Sequence, residues 1–285
     1  MSVDWPTKMN GPTLPSMRLA SLLLAAALAA GCAATPRTTS GAAPSATTDL
    51  PLRIVSYNIR HGRGSDDVLD LARTAAVLRA LRPDIVGLQE VDHTVRRSND
   101  VDEARALGEA LGMHHAFGAF MPYQGGEYGL AILSRFPIVR ATPVRLPDGN
   151  EPRVALAAEL ALPDGRHLMA VDVHFDWVEN DTFRLKQATA LTTVLDTLRI
   201  PYVLLGDFND QPGSRTLALF QARAVEVPKP ASDRFTFSST APVKEIDFVF
   251  VAPGVSWRAV GARPITEPLA SDHRPVLAEV LLRRR

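Results

Sequence analysis

Four short apolar runs in this chain each end on a side chain able to do chemistry. Asn58 follows Arg53-Ile54-Val55-Ser56-Tyr57, and Glu90 follows Ile85-Val86-Gly87-Leu88-Gln89. His174 follows Met169-Ala170-Val171-Asp172-Val173, and Asp207 and Asn209 follow Val203-Leu204-Leu205-Gly206. Runs of this length and β-branched content predict strands, and unbroken apolar runs predict a sheet covered on both faces. Two more groups stand at strand starts: Asp247 before Phe248-Val249-Phe250-Val251, and Asp272-His273 before Pro275-Val276-Leu277. If carboxyl ends and the amino ends of antiparallel neighbours share one rim, all these side chains meet in one pocket.

The same patterning predicts strands over residues 52–57, 85–89, 130–134, 154–162, 168–173, 202–205, 246–251 and 275–282. Apolar residues at helical spacing predict helices over 68–81, 101–111 and 182–198. Some consecutive strands have no helix between them, which requires antiparallel pairing. The consistent architecture is α/β, with two mixed sheets packed face to face and helices outside.

The N-terminus reads differently. Leu19 to Ala30 is an apolar run preceded by Met17-Arg18 and closed by Ala29-Ala30-Gly31-Cys32. It is too short to span a bilayer and has the shape of a signal-peptide core, with Met17 as the cleaner start. Cys32 is the one cysteine in the chain, so no intramolecular disulfide can form. It sits where bacterial lipoprotein signals place the lipidated residue, although Ala29 stands where such signals usually have Leu. Ordinary secretion and an uncleaved anchor are the alternatives. Ala33 to Asp49 consists of Ala, Thr, Ser, Pro and Gly with one Arg and one Asp, a tether composition that buries no core. The expected organisation is a signal region over 1–31, a tether over 32–50 and one domain over 51–285, roughly 230 residues with a substantial core. The expected location is outside the cytoplasm, on a membrane, with the outer membrane favoured because Ala33 is not the Asp that retains many lipoproteins at the inner membrane.

Singly, each rim residue has an ordinary structural role available. Asn58 and Asn209 suit turns, Asp207 and Asp272 suit caps, Glu90 suits a solvated strand end, and His174 suits a satisfied core position. Together, carboxylates, amides and two histidines on one rim describe a divalent-metal phosphate site. The 31 basic and 31 acidic side chains cancel, which argues against a protein built to coat nucleic acid.

The runs Ser56-Tyr57-Asn58-Ile59-Arg60-His61-Gly62, Pro83-Asp84-Ile85-Val86-Gly87-Leu88-Gln89-Glu90, Tyr128-Gly129-Leu130, Val173-His174-Phe175-Asp176, Gly206-Asp207-Phe208-Asn209, Ile246-Asp247-Phe248 and Ser271-Asp272-His273-Arg274-Pro275 occur in one order over nearly the whole domain. On these runs the chain resembles the endonuclease/exonuclease/phosphatase superfamily, the DNase I-like metal-dependent phosphoesterases. Leu130 and Phe175 depart from that family's usual Asn and Leu, on the wall that would face substrate. The resemblance implies a four-layer α/β sandwich and hydrolysis of a phosphoester. It implies Mg²⁺, with Mn²⁺ as a substitute, held by Asn58, Glu90 and Asp272. Asp207 is then the candidate base, Asn209 positions water or phosphate, and Asp247 orients His273, which acts as base or as charged clamp. His174 stabilises phosphoryl oxygens or assists the leaving group. Arg153, Arg184 and His61 are candidate substrate contacts. A small or lipid-linked phosphodiester is the favoured substrate, with nuclease, phosphomonoesterase and idle binding lipoprotein as alternatives, and no protein partner is expected.

Overall fold

The computed structural model describes residues 49–253 and 257–283. The signal region, Cys32 and the tether up to residue 48 lie outside the described residues. In chain order the elements are β1 (Leu50–Asn58), α1 (Leu71–Leu81), β2 (Ile85–His93), α2 (Glu103–Leu111), β3 (His114–Tyr123), β4 (Gly126–Ser134), β5 (Ile138–Arg145), β6 (Val154–Ala161), β7 (His167–His174), α3 (Thr182–Leu195), β8 (Tyr202–Asp207), α4 (Arg215–Gln221), β9 (Val225–Glu226), β10 (Asp247–Val251), β11 (Trp257–Pro264) and β12 (Val276–Leu282). Leu50 already pairs with Leu282, so the paired strand begins on the last residue assigned to the tether.

The strands form two six-stranded sheets, ordered β11-β12-β1-β2-β4-β3 and β5-β6-β7-β8-β10-β9. Each sheet has one parallel pair near its middle, β1 with β2 and β7 with β8, bridged by α1 and α3 respectively. The other pairings are antiparallel. This places the carboxyl ends of β1, β2, β7 and β8 beside the amino ends of β10 and β12.

Burial separates the layers. Ile54, Ile85, Leu130 and Ile132 of the first sheet pack with Leu156, Ala170, Val203 and Val249 of the second to form the central core. Val55, Tyr57, Val86 and Leu88 face the other way, against Leu78 of α1 and Leu107 of α2. Val171, Leu204, Phe248 and Phe250 do the same against Leu191 of α3 and Phe220 of α4. The result is the four-layer sandwich expected from the apolar runs, each large buried side chain contributing about 1.5–3 kcal/mol.

All eight interior strands are the eight that the apolar runs predict. The four not foreseen, β3, β5, β9 and β11, are the outer strands of the two sheets. β5 has no buried position and carries Pro143, and β11 carries a bulge between Ala259 and Gly261. An edge strand needs no apolar run, and Pro and bulges protect its free side. Helix ends also shift. Asp70 caps α1 by accepting from Arg73 N, so the helix starts at Leu71 and not at residue 68. α3 ends at Leu195 instead of residue 198.

Candidate active site

The site is assembled from both sheets, and three backbone features aim its side chains. Gly206 has φ 146°, and a Cβ there would lie 2.0 Å from the carbonyl oxygen of Val173. Only glycine lets β8 press this closely on β7, which sets Asp207 level with His174 in the parallel register. Phe208 is then buried among Phe175, Phe220 and Phe248, anchoring the turn between its polar neighbours. Finally, the pairing of β2 with β4 shifts between Leu88 and Val91, and Glu90 in this bulge has φ 59°. Bulges re-aim side chains, and Glu90 faces the cavity.

Asp207 Oδ2 is the hub. Asn58 Nδ2 donates to it at 3.2 Å and to Glu90 Oε1 at 3.0 Å, while Asn58 Oδ1 accepts from Arg60 N. Asn58 therefore turns its amide hydrogens toward the carboxylates. His174 Nε2 and His273 Nε2 each stand 3.6 Å from the same Asp207 oxygen. His273 Nδ1 lies 3.1 Å from Asp247 Oδ2, and Asp247 is the antiparallel register partner of Asp207. Asn209, at φ 49°, donates its backbone N–H to Asp207 Oδ1 and its amide to the Phe175 carbonyl. Ser271, which the strand pattern did not single out, donates to the Asn58 carbonyl and accepts from His273 N.

Burial and charge split the two histidines. Burial alone would lower His273, but the carboxylates of Asp247 and Asp207 outweigh it and raise it well above the ordinary imidazole range. Burial, with the positive charges of Arg153 and His273, holds His174 far below that range. One ring is thus cationic at neutral pH and the other neutral. Burial, then the charge on Asp247, raises Asp207 against the opposing pull of His273 and the donors from Asn209 and Asn58.

These residues open on a cavity of about 890 Å³ whose lining includes Glu90, Arg153, His174, Asp207, Asp272 and His273. Glu90 and Asp272 line it, and Asp207, Asp247 and His273 bring ligand atoms within 4.8 Å of one another. Carboxylate oxygens in this density suit a hard divalent cation, so the donor chemistry fits the implied Mg²⁺ or Mn²⁺.

The three candidate substrate contacts fare differently. Arg153 lines the cavity at 1% exposure, pairs with Glu151 through Nη2 at 3.0 Å, and keeps Nε and Nη1 without a hydrogen-bond partner among the described residues. Arg184 also lines the cavity, but its Nη1 donates to the carbonyls of Asp176 and Val178, its Nη2 to that of Glu179, and its Nε stands 3.5 Å from Asp210. It serves as a strap for a loop. His61 is buried at φ 45° and is not among the residues lining the cavity. Trp177, Glu179, Gln211, Phe237 and Lys244 do line it and were not foreseen, because they stand on loops with no periodic signal.

Known proteins share this fold. The chain is 29% identical over 265 residues to the uncharacterized protein YbhP of Escherichia coli (strain K12), covering 84% of this chain and 100% of YbhP. A crystal structure of an endonuclease/exonuclease/phosphatase family protein from Bacteroides thetaiotaomicron superposes with a TM-score of 0.70 at 21% identity, covering 83% of this chain and 99% of the other. A mannosyl-6-phosphatase from Bacteroides thetaiotaomicron VPI-5482 superposes with a TM-score of 0.66 at 21% identity, covering 80% and 99%. The model of the Endonuclease/Exonuclease/phosphatase family matches residues 55–273, the stretch that runs from β1 to His273, and the chain belongs to that family.

Proposed function

We propose that the protein is a metal-dependent phosphoester hydrolase, exported and tethered to a membrane through a lipid on Cys32, that cleaves a small or lipid-linked phosphodiester. The observation that carries this reading is the convergence of Asn58, His174 and His273 on Asp207 Oδ2, within a cavity that also presents Glu90 and Asp272. The zero net charge supports a small substrate over long nucleic acid.

Glu90 and Asp272 would hold the cation, beside Asn58, and the bound cation supplies positive charge that polarises the phosphoryl group. Asp207, raised toward neutrality, takes a proton from the attacking water as its oxygen bonds to phosphorus. The P–O bond to the leaving group breaks, and cationic His273 gives that oxygen a proton. With 3.6 Å between them, Asp207 then returns its proton to His273 Nε2, and the cycle closes on one alcohol and one phosphomonoester. Asp247 holds Nδ1 so that Nε2 faces the reaction. Neutral His174 and the free nitrogens of Arg153 receive the non-bridging oxygens.

One observation favours a second reading, a phosphomonoesterase. The unpartnered Arg153 nitrogens suit the extra charge of a terminal phosphate, and a mannosyl-6-phosphatase is built on the same fold. The test is a hydrolysis screen of the full chain with Mg²⁺ or Mn²⁺ over DNA, RNA, phosphoinositides, sphingomyelin and phosphomonoesters. Faster turnover of a small or lipid-linked phosphodiester than of DNA is expected. Preference for monoesters selects the second reading, and no hydrolysis of any ester refutes both.

A further inference from the structure

One step below the rim of the site, alternate side chains of the strands still face the seam between the sheets. Asp172 stands there two residues before His174, and Ser56 two residues before Asn58. Gln89, the register partner of Asn58 and the residue before Glu90, joins them. Its Nε2 donates to Asp172 Oδ1 at 2.6 Å and lies 3.5 Å from Ser56 Oγ, so one amide ties β2 of the first sheet to β7 of the second. All three side chains are fully buried. Gly87 leaves the carboxyl its space, since a Cβ at that position would stand 2.8 Å from Asp172 Oδ1.

Asp172 is treated differently from other acids buried in this domain. Asp92 meets the Arg97 guanidinium at 2.8 Å and Asp247 meets His273 at 3.1 Å, whereas Asp172 takes part in no ion pair among the described residues. An ionised carboxylate there would have only neutral donors to offset its lost hydration, with the like charge of Asp207 acting against it. Burial raises the Asp172 carboxyl well above the ordinary carboxylate range, opposed by the Gln89 donor and the N–H groups of Val173 and Leu88, and the Asp207 charge adds to the rise. Geometry points the same way independently. Asp172 Oδ2 and Gln89 Oε1 are both buried without a hydrogen-bond partner among the described residues, and they belong to the two planar groups already joined through Oδ1 and Nε2. Two acceptors cannot serve each other. A proton on Oδ2 makes one of them a donor, and acid and amide then close a reciprocal pair. Turning the amide over would set Oε1 against Oδ1 and would call for the same proton.

We propose that Asp172 is a neutral carboxylic acid whose proton bonds Gln89 Oε1, and that this reciprocal pair positions Glu90 against the half of the site carried by the second sheet. The positioning role rests on the phosphoester-hydrolase reading; the state of the acid does not. Three variants of the full chain separate the parts. Asp172→Asn keeps the carbonyl and puts an amide donor where the acid's proton stands, Asp172→Ala removes both, and Gln89→Met keeps the chain length and loses both bonds should the alanine variant fail to fold. Infrared spectra without metal at neutral pH should show a protonated-carboxyl band in the wild type that is missing from Asp172→Asn. Mn²⁺ binding without substrate, followed by the electron paramagnetic resonance of the free ion, should be close to wild type in Asp172→Asn and weaker by about tenfold or more in Asp172→Ala and Gln89→Met. Excess Mn²⁺ should then restore their kcat on bis(p-nitrophenyl) phosphate, a recovery that a merely structural defect would not give. Loss of a carboxylate band in place of the acid band, or an asparagine variant as weak as the alanine one, overturns the neutral acid. Wild-type Mn²⁺ affinity in the folded Asp172→Ala or Gln89→Met protein overturns the positioning role. A wild type that binds no Mn²⁺ and hydrolyses no ester removes the hydrolase reading and the positioning role with it, and the infrared band then decides the acid alone.

Discussion

His273 Nδ1 lies 3.1 Å from Asp247 Oδ2, a contact that reaches from the strand start of one sheet to the strand start of the other. Through it the second sheet sets the orientation and the charge of a ring carried by the first. The two halves of the site are therefore not independent: Glu90 and Asp272 come from the first sheet, Asp207 and His174 from the second, and Asn58 and His273 cross between them. Asp207→Asn and His273→Ala should each lower kcat by about two orders of magnitude or more, the scale for losing a proton-transfer group. Thermal unfolding followed by circular dichroism should show the fold retained. Near-normal turnover in either variant would move that role to His174.

Gly206→Ala tests how the register of β7 and β8 builds the site. The added methyl would meet the Val173 carbonyl at 2.0 Å, at a φ that L side chains rarely adopt. A loss of roughly 2–4 kcal/mol is expected from urea unfolding. Turnover should fall as well, because Asp207 is the next residue. Stability and turnover both near wild type would show that β8 has slack at this point.

Much of this was legible from sequence because interior strands must be apolar on both faces. β1, β2, β7 and β8 announce themselves, and with them Asn58, Glu90, His174 and Asp207 at their ends. β5 has no such obligation: one edge is unpaired and most of its positions are exposed, so Arg140, Thr142 and Pro143 interrupt any apolar run. The cavity wall was invisible for a related reason. Trp177 is brought to the site by the loop hydrogen bonds of Asp176 and Arg184, and Lys244 by its backbone bridge to Phe237, and these follow no period in the chain. The direction of the Asn58 amide was equally hidden, since it is decided by Arg60 N and two carboxylates distant in sequence.

Glu103, a buried acid outside the cavity lining, makes a prediction about pH. Burial raises Glu103 to about 8, with the Asp92 charge adding to it and the Asp92 N–H and Arg97 opposing. A carboxyl raised in the folded state holds a proton that the unfolded chain has lost. Its stabilising contribution is present below the unfolded value near 4.5 and is lost as pH climbs through about 8. Glu103→Gln retains an acceptor for Asp92 N and removes the titration. Relative to wild type, the variant should gain stability between pH 5 and pH 8, by at most about 1.4 kcal/mol per pH unit. Urea unfolding at the two pH values measures it, and a pH-independent difference would show that Glu103 does not titrate in this range.

Cys32, outside the described residues, is predicted to become the mature N-terminus and to carry lipid. Two or more acyl chains give stable anchoring, which one chain alone does not. Expression of the full chain and of Cys32→Ser, followed by membrane fractionation and intact mass, should show the variant leaving the membrane and losing the mass of the lipid. An unchanged mass and partition would mean simple secretion.

The most direct test of the central claim is the hydrolysis rate of the full chain under metal control. Excess chelator should abolish hydrolysis, added Mg²⁺ should restore it, and Glu90→Ala should need far more Mg²⁺ to reach half its maximal rate. Full activity in excess chelator would contradict the account.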